Sequence, residues 1–249
     1  SYMRYFLLEK KLENKFKKYA YCYDMKDENI TRKYYHSIRV EKFAKNIALF
    51  EKVSHRNIKL AIISGILHDY ARFEQWKQYK TYFDIDSVDQ GDLAVKMLFD
   101  NKEIYNFYSS EKDFNSINIA IKYHNKISVP EFVKNDDLVL CNIIRDADKL
   151  DIFNILIENK NLFKEDSQNI SDKVDDDFFN MKNINRHDVK NESDNIILCL
   201  AMFYDFNFKY SYKYIIENKI LEKLYNTLEN KDKFKKYFDF IQKYLEKCI

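Results

Sequence analysis

The sequence predicts an all-α fold built as a bundle of helices. Its 249 residues include only two glycines and one proline, too few for the turns that many short strands need. Apolar residues recur instead at helical spacing along most of the chain. The 42 Lys and Arg nearly balance the 40 Asp and Glu, so no global basic field favours nucleic acid or anionic lipid as a partner.

The helical spacing locates the first three helices in order. The first two are predicted over about 5–21 and 34–50. Ser54 is expected to cap a third helix, whose run from Leu60 to Leu67 is the most continuously apolar of the protein. This helix should therefore form the axis of the core.

The next region alternates irregular and helical segments. Residues 70–86 lack a clean period, which predicts a loop, and Ser87 and Gln90 form a capping-box pattern that opens a helix ending at Phe99. Pro130 marks a later turn. Further helices are predicted over about 114–124, 138–156, 195–208, 212–226 and 234–247.

No linker or repeat divides the chain, so a single domain over 1–249 is expected, with its core at about 20–160. The acidic, polar segment 164–195 is predicted to be irregular, and the helices of 195–247 should pack on the core. No apolar run approaches the roughly 18 residues that span a bilayer, and the start is not signal-like. A cytoplasmic location is expected.

Histidines and carboxylates interrupt the apolar helices at three points. His68 and Asp69 follow the apolar run of the third helix, and burying this pair without partners would be costly. His36 lies within the second helix, and Asp148 follows the apolar Ile144 by four positions on one helical face. A divalent cation would satisfy all four groups. Two imidazoles and two carboxylates suit Mn²⁺, Fe²⁺, Co²⁺, Ni²⁺ or Mg²⁺ better than a closed zinc site.

Two observations keep an alternative open. Asp151 shares the helical face of Ile144 with Asp148, and His187–Asp188 repeats the His-Asp dipeptide in the polar segment. The same residues could therefore be satisfied core histidines and ordinary carboxylates near helix ends.

At these residues the sequence resembles the HD-domain metal-dependent phosphohydrolase superfamily, whose pattern is a His, a His-Asp pair and a distant Asp on helices. It is similar to a branch with HDxxRFEQ, HNK and DADKLD elements, found here at 68–75, 124–126 and 146–151. The similarity covers roughly residues 20–225.

The resemblance implies a helical bundle of the HD type and one set of metal ligands: His36, His68, Asp69 and Asp148. Mn²⁺ is the favoured ion, and Fe, Co, Ni, Mg or Zn are the other candidates. It also implies hydrolysis of a phosphate ester or phosphoanhydride by a metal-bound water that Asp69 orients. The candidates for binding phosphate or stabilising its charge are Arg72, His124, Lys126 and, less strongly, Lys149.

Gln90 departs from this branch, which commonly has a histidine there. An amide is a poor ligand for such ions, and the capping box with Ser87 offers a structural reason for Gln90. One ion rather than two is therefore expected.

The sequence thus predicts a metal-dependent phosphohydrolase that acts on a small phosphorylated molecule, foremost a nucleotide, with neither nucleic acid nor a membrane as partner. Trp76 is the aromatic side chain expected to face a ligand. One alternative is an HD-fold nucleotide-binding or regulatory module that has lost turnover, which Gln90 suggests. Another is an all-helical interaction protein without metal. The oligomeric state is left open.

Overall fold

The computed structural model describes residues 2–249, and all regular secondary structure in this range is helical. This confirms the all-α prediction. The chain divides into two compact units, residues 1–148 and 149–249, and the division falls within one long helix. A single domain stays a prediction. Within residues 2–249, no helix combines the length and the apolar character that crossing a membrane requires.

The first unit is built from six helices and the larger part of a seventh. They are α1 (Tyr2–Ala20), α2 (Glu28–Phe50), α3 (His55–Leu67), α4 (Arg72–Tyr79), α5 (Gln90–Val95), α6 (Phe114–Tyr123) and α7 (Asn135–Glu158). A π-helical turn, Lys96–Asp100, extends α5. Short 3-10 turns occur at Asp84–Asp86, Glu103–Asn106 and Glu111–Asp113.

Helix α3 is the axis of this unit, as its apolar run predicts. Every residue from Leu60 to Leu67 is buried, and the helix packs against α1, α2 and α6. The Ser54 hydroxyl caps it by accepting a hydrogen bond from the Asn57 amide at 3.1 Å.

Helices α2 and α3 approach each other closely at Gly65. A Cβ atom on Gly65 would lie 3.0 Å from Glu41 Cα, 3.2 Å from Ala44 Cβ and 3.3 Å from the Val40 carbonyl oxygen. Glycine therefore lets the two backbones come closer than a larger residue would allow. This spacing matters for the site because α2 carries His36 and α3 leads into His68.

The segment 70–86, for which a loop is predicted, contains helix α4. That prediction was wrong because the helix is short and gains its stability from tertiary contacts. Phe73 is fully buried, and its ring packs edge-on against the rings of Phe16 and Tyr19. The ring centroids are 5.8 Å and 5.7 Å apart, respectively. Lys80 adopts a left-handed conformation and ends the helix.

The predicted capping box at Ser87 is also wrong. Helix α5 begins at Gln90 and is capped by Asp89, whose carboxylate accepts a hydrogen bond from the Asp92 amide at 3.0 Å. The Ser87 hydroxyl instead donates to the Phe83 carbonyl oxygen and accepts from the Gln75 amide. Asp and Ser are comparable caps, so tertiary contacts decided between the two positions.

The second unit holds the end of α7 and five further helices. They are α8 (Asp172–Phe179), α9 (Glu192–Ala201), α10 (Lys209–Glu217), α11 (Ile220–Asn226) and α12 (Lys231–Lys247). Short 3-10 turns lie at Lys160–Leu162, Arg186–Asp188 and Met202–Asp205. Aromatic rings fill its core: Phe153 stacks on Phe203 with centroids 4.3 Å apart.

Two predictions for this unit need correction. The segment 164–195 is not irregular throughout, because α8 forms within it and buries Val174 and Phe178. The helix predicted over 212–226 is two helices, α10 and α11, which are separated at Lys219 by a left-handed backbone conformation. The packing of these helices on the first unit stays a prediction.

Candidate metal centre

Four ligand-type side chains from three parts of the first unit converge on one point. His36 Nε2 lies 3.2 Å from His68 Nε2 and 3.1 Å from Asp148 Oδ1. Asp69 Oδ2 lies 3.3 Å from His36 Nε2 and 3.5 Å from His68 Nε2. Asp148 Oδ1 is 3.3 Å from His68 Nε2. Helix α2 supplies His36, the end of α3 supplies His68 and Asp69, and α7 supplies Asp148.

The end of α3 explains how two adjacent side chains reach the same point. The helix ends at Leu67, and the chain turns so that the Arg72 amide donates to the Asp69 carbonyl oxygen at 2.9 Å. His68 Nδ1 lies 2.7 Å from the Gly65 carbonyl oxygen. Because a carbonyl oxygen can only accept, Nδ1 carries a proton, which leaves Nε2 as the ring atom that faces the cluster and would bind a cation.

The two carboxylates carry negative charge into a buried site. His36, His68 and Asp69 are at most 3% exposed. Burial by itself would raise the pKa of the Asp69 carboxyl, but His68, followed by Lys33, holds it well below its ordinary value. Burial likewise opposes ionisation of Asp148, and hydrogen bonds from His36 and His68 hold its pKa well below the ordinary value. The site therefore concentrates two negative charges beside two imidazoles.

This donor set fits a divalent cation. Ligand atoms of His36, His68 and Asp69 lie within 4.8 Å of one another, as do those of His68, His124 and Asp148. Adjacent ligands bound at about 2.1 Å are separated by roughly 3.0 Å in octahedral geometry and roughly 3.4 Å in tetrahedral geometry. The separations in the cluster, 3.1 to 3.5 Å, are in this range. Nitrogen and oxygen donors without thiolate suit Mn²⁺, Fe²⁺, Co²⁺, Ni²⁺, Mg²⁺ or Zn²⁺.

The comparison with protein families agrees with this geometry: the HD domain family matches residues 34–152. The match covers 119 of the 249 residues, and this matched segment, residues 34–152, is named the HD domain. HD domains bind divalent metal ions, and the family consists in general of hydrolases. No curated protein and no solved structure matches the chain. The branch with HNK and DADKLD elements stays a prediction.

Gln90 occupies the other side of Asp69 in the HD domain. It is fully buried, and its Nε2 lies 3.3 Å from Asp69 Oδ1, 3.3 Å from the His68 carbonyl oxygen and 3.4 Å from His124 Nε2. Its Oε1 accepts a hydrogen bond from the Ala71 amide at 3.2 Å. Gln90 is thus a partner of the site and not of Ser87, contrary to the sequence interpretation.

His124 lies on this side of the HD domain's centre. Its Nδ1 is 2.5 Å from the Ile121 carbonyl oxygen, so Nδ1 donates and Nε2 presents a lone pair. That lone pair faces the Gln90 amide, and Nε2 is 3.5 Å from Asp69 Oδ1. Burial lowers the pKa of the His124 imidazole and favours its neutral form.

Arg72 lies beside the centre but is engaged by acceptors. Its Nη1 donates to Gln75 Oε1 at 2.7 Å, to the Tyr82 carbonyl oxygen at 3.0 Å and to Asp84 Oδ1 at 2.7 Å. Its Nε is 3.5 Å from Asp69 Oδ1. Arg72 therefore fastens the segment after α4 to the first residue of that helix.

The other basic candidates are also paired. Lys126 Nζ lies 2.9 Å from Asp89 Oδ1 and 3.2 Å from Asp92 Oδ1. Lys149, in the second unit, pairs with Asp205 at 2.9 Å. These contacts bring neither ammonium group to the four ligand atoms.

Two further sequence candidates lie elsewhere. Trp76 belongs to α4, and its indole N–H donates to Asp27 Oδ2 at 2.7 Å. His187 and Asp188 form part of a short 3-10 turn in the second unit, with His187 exposed.

Lys33 is the cationic residue that sequence reasoning missed. Its Nζ lies 3.4 Å from Asp69 Oδ2 and 4.8 Å from the centroid of the Tyr82 ring, and the side chain is 20% exposed. Lys33 stands three residues before His36 in α2, which is the spacing that brings two side chains onto one face of a helix. That spacing was the available signal.

Proposed function

We propose that this HD domain is a metal-dependent phosphohydrolase that acts on a small phosphorylated molecule, foremost a nucleotide, with one divalent cation. Its ligands would be His36, His68, Asp69 and Asp148, and Mn²⁺ is the favoured ion. The observation that carries the proposal is the convergence of four nitrogen and oxygen ligand atoms at 3.1 to 3.5 Å. When bound, the cation would polarise a phosphoryl oxygen and make a water more acidic.

The side chains around the cation would orient the metal ligands and bind the substrate phosphate. Asp69 has one oxygen toward the ligand cluster and the other toward Gln90 and His124, so its carboxylate is held in a single orientation. Lys33 brings an ammonium group to the cluster and is partly exposed, which suits a role in binding a phosphoryl oxygen. We assign this role to Lys33 and not to Arg72, because Arg72 Nη1 already donates to three acceptors.

The adjacent Tyr82 ring supports a nucleotide as substrate. It is half-buried, lies under the Lys33 ammonium group and packs against Trp76 with centroids 5.0 Å apart. An aromatic ring can stack on a nucleobase while a neighbouring cation binds the phosphate.

Gln90 favours a second candidate function, a nucleotide-binding module without turnover. Its amide donates toward both Asp69 Oδ1 and His124 Nε2, so the His124 lone pair is occupied. In such a module the metal would bind substrate phosphate without hydrolysis.

The two functions separate in one experiment. Protein loaded with Mn²⁺ is incubated with a panel of nucleotides, and phosphate release and metal content are measured for the wild type, His68→Ala and Asp69→Asn. His187→Ala and Asp188→Asn are the matched controls, since this second His-Asp pair lies in an exposed turn. Circular dichroism verifies that each variant is folded.

The proposed hydrolase predicts phosphate release that His68→Ala and Asp69→Asn reduce by about 10²-fold or more, with no change in the two controls. Bound metal and nucleotide without released phosphate would favour the module. Failure of the wild type to retain or take up any divalent metal would overturn both and leave a helical interaction protein.

A further inference from the structure

A cavity of the first unit lies away from the candidate metal ligands. It has a volume of about 300 Å³ and is bounded by the start of α1, the start of α3 and the turn before α6. Its polar lining consists mainly of Arg4, His55, Arg56, Lys59, Lys112 and Asp113. Since α3 has 13 residues and ends just before His68, the cavity and the metal ligands lie at opposite ends of a helix about 20 Å long.

The lining of this cavity carries excess positive charge. Arg4, Arg56, Lys59 and Lys112 are cationic at neutral pH, whereas Asp113 is the one carboxylate among the described lining residues. The lining therefore has a formal charge of +3, although the entire chain carries only +2. Such a local concentration of cations attracts a multiply charged anion.

Part of this lining is held in position before any ligand binds. Asp113 is fully buried and accepts a hydrogen bond from Arg56 Nε at 2.8 Å, while Arg56 Nη2 donates to the Ser116 hydroxyl at 3.2 Å. Lys59 Nζ lies 3.7 Å from Asp113 and 5.5 Å from the Tyr108 ring centroid. The two cations from α3 thus lose little conformational freedom when they bind an anion.

Two exposed cations complete the rim of the cavity. Arg4 and Lys112 are both exposed, and neither forms an ion pair within residues 2–249. His55 is the first residue of α3, where the backbone amides of a helix favour negative charge, and its Nδ1 lies 2.5 Å from the Tyr5 hydroxyl. Anchored cations therefore line the cavity and unpaired cations surround its mouth.

We propose that this cavity binds an oligophosphate anion, either free pyrophosphate or the phosphate chain of a nucleotide. The volume is at the lower end of ligand pockets, which fits a phosphate chain better than a complete large cofactor. The charge of +3 matches two or three phosphate groups. Because α3 joins the cavity to His68, a bound anion would rest on the same helix that supplies the metal ligands.

The test uses the full chain dialysed against EDTA, so that its outcome does not depend on the metal centre or on the proposed hydrolase activity. Calorimetry measures binding of sodium pyrophosphate to the wild type and to the double variant Arg4→Gln/Lys112→Gln. The control is Lys17→Gln/Lys18→Gln, which also removes two exposed charges from the surface, both on α1 and away from the cavity. All four substituted side chains are exposed, and circular dichroism verifies folding.

We expect Arg4→Gln/Lys112→Gln to weaken pyrophosphate binding by about tenfold or more, because the double variant loses two charge-assisted contacts to the anion. The control should change the affinity by no more than about twofold. The same titration with a nucleoside diphosphate and with the bare nucleoside distinguishes the two sources of the phosphate chain. Tighter binding of the nucleoside diphosphate than of pyrophosphate indicates a nucleotide, and equal binding indicates the phosphate chain alone. Absence of pyrophosphate binding at millimolar concentration, or equal losses in both double variants, would overturn the proposal.

Discussion

The Gly65 carbonyl oxygen accepts a hydrogen bond from His68 Nδ1 at 2.7 Å, so a residue at the contact between two helices also orients a candidate metal ligand. Gly65 lies at a close contact of α3 with α2, with Glu41 Cα at 3.0 Å from the position of an added Cβ. The approach of His36 to His68 therefore depends on a residue that has no side chain.

Substituting Gly65→Ala should disturb the metal centre more than the fold. The added methyl group pushes α2 away from α3 at a cost that exceeds the higher helix propensity of alanine, which leaves a net loss of about 1 kcal/mol of unfolding free energy. We expect the affinity for Mn²⁺ to fall by about tenfold or more, because ligand spacing must be kept within a few tenths of an ångström. Urea unfolding and Mn²⁺ calorimetry measure the two effects.

Ser64→Ala is the matched control for this substitution. The Ser64 hydroxyl is buried and has no hydrogen-bond partner in the part of the chain that the structure describes. Its removal should therefore leave stability equal or higher and Mn²⁺ affinity unchanged. Equal Mn²⁺ affinities for Gly65→Ala and Ser64→Ala would contradict the role assigned to Gly65.

Replacing Gln90 should change the number of bound metal ions. The Gln90 amide lies 3.3 Å from Asp69 Oδ1 and 3.4 Å from His124 Nε2, and it offers them a proton where an imidazole would offer a ligand nitrogen. We expect one equivalent of Mn²⁺ in the wild type and close to two in Gln90→His, measured by elemental analysis after dialysis. Gln90→Met, which has similar length and no such ligand, should remain at one. A single equivalent in Gln90→His would disprove the prediction.

The Arg72–Asp84 ion pair should make a measurable contribution to stability. Arg72 Nη1 and Asp84 Oδ1 are 2.7 Å apart, and the two side chains are 13% and 29% exposed. In a double-mutant cycle with Arg72→Ala and Asp84→Ala, urea unfolding should give a coupling energy of about 1 to 2 kcal/mol.

The exposed pair Lys235–Asp239 supplies the reference for that cycle. Its atoms are 2.6 Å apart, but the side chains are 61% and 57% exposed. Solvent screening should make its coupling energy clearly smaller than that of the Arg72–Asp84 pair. If the cycles gave the same value, Arg72 would not fasten the segment after α4.

Glu41 should make stability depend on pH. Burial, assisted by the neighbouring carboxylates of Glu13 and Glu9, raises the pKa of Glu41 from 4.5 to about 10. Neither of its buried oxygens receives a hydrogen bond from any of residues 2–249. At pH values between 4.5 and about 10, Glu41 therefore holds a proton in the folded protein that it has released in the unfolded chain. The contribution of Glu41 to folding stability is therefore complete below pH 4.5 and falls as the pH rises toward 10, by at most about 1.4 kcal/mol per pH unit.

The substitution Glu41→Gln removes this titration, because the amide stays neutral. We expect urea unfolding at pH 5 and pH 8 to show a smaller loss of stability for Glu41→Gln than for the wild type. Glu131→Gln, at an exposed position, should follow the wild type. The same dependence on pH in all three proteins would rule out Glu41 as the titrating group.

The sequence by itself determined the all-α class, the course of α3 and the identity of the four side chains that meet. These depend on local information: apolar periodicity, the scarcity of glycine and proline, a Ser54 cap, and polar groups placed on apolar helical faces. Each signal lies within one or two turns of a single helix, where neighbouring residues fix the outcome.

The tertiary structure decided what those side chains contact. The sequence could not show that Gln90 turns toward Asp69, that Arg72 pairs with Asp84 or that Lys33 reaches the ligand cluster, since each contact joins separate segments. Helix α4 was missed for the same reason, because the burial of Phe73 against α1 stabilises it. Local pattern selects a conformation of the chain, but packing between helices selects the partner of each polar group.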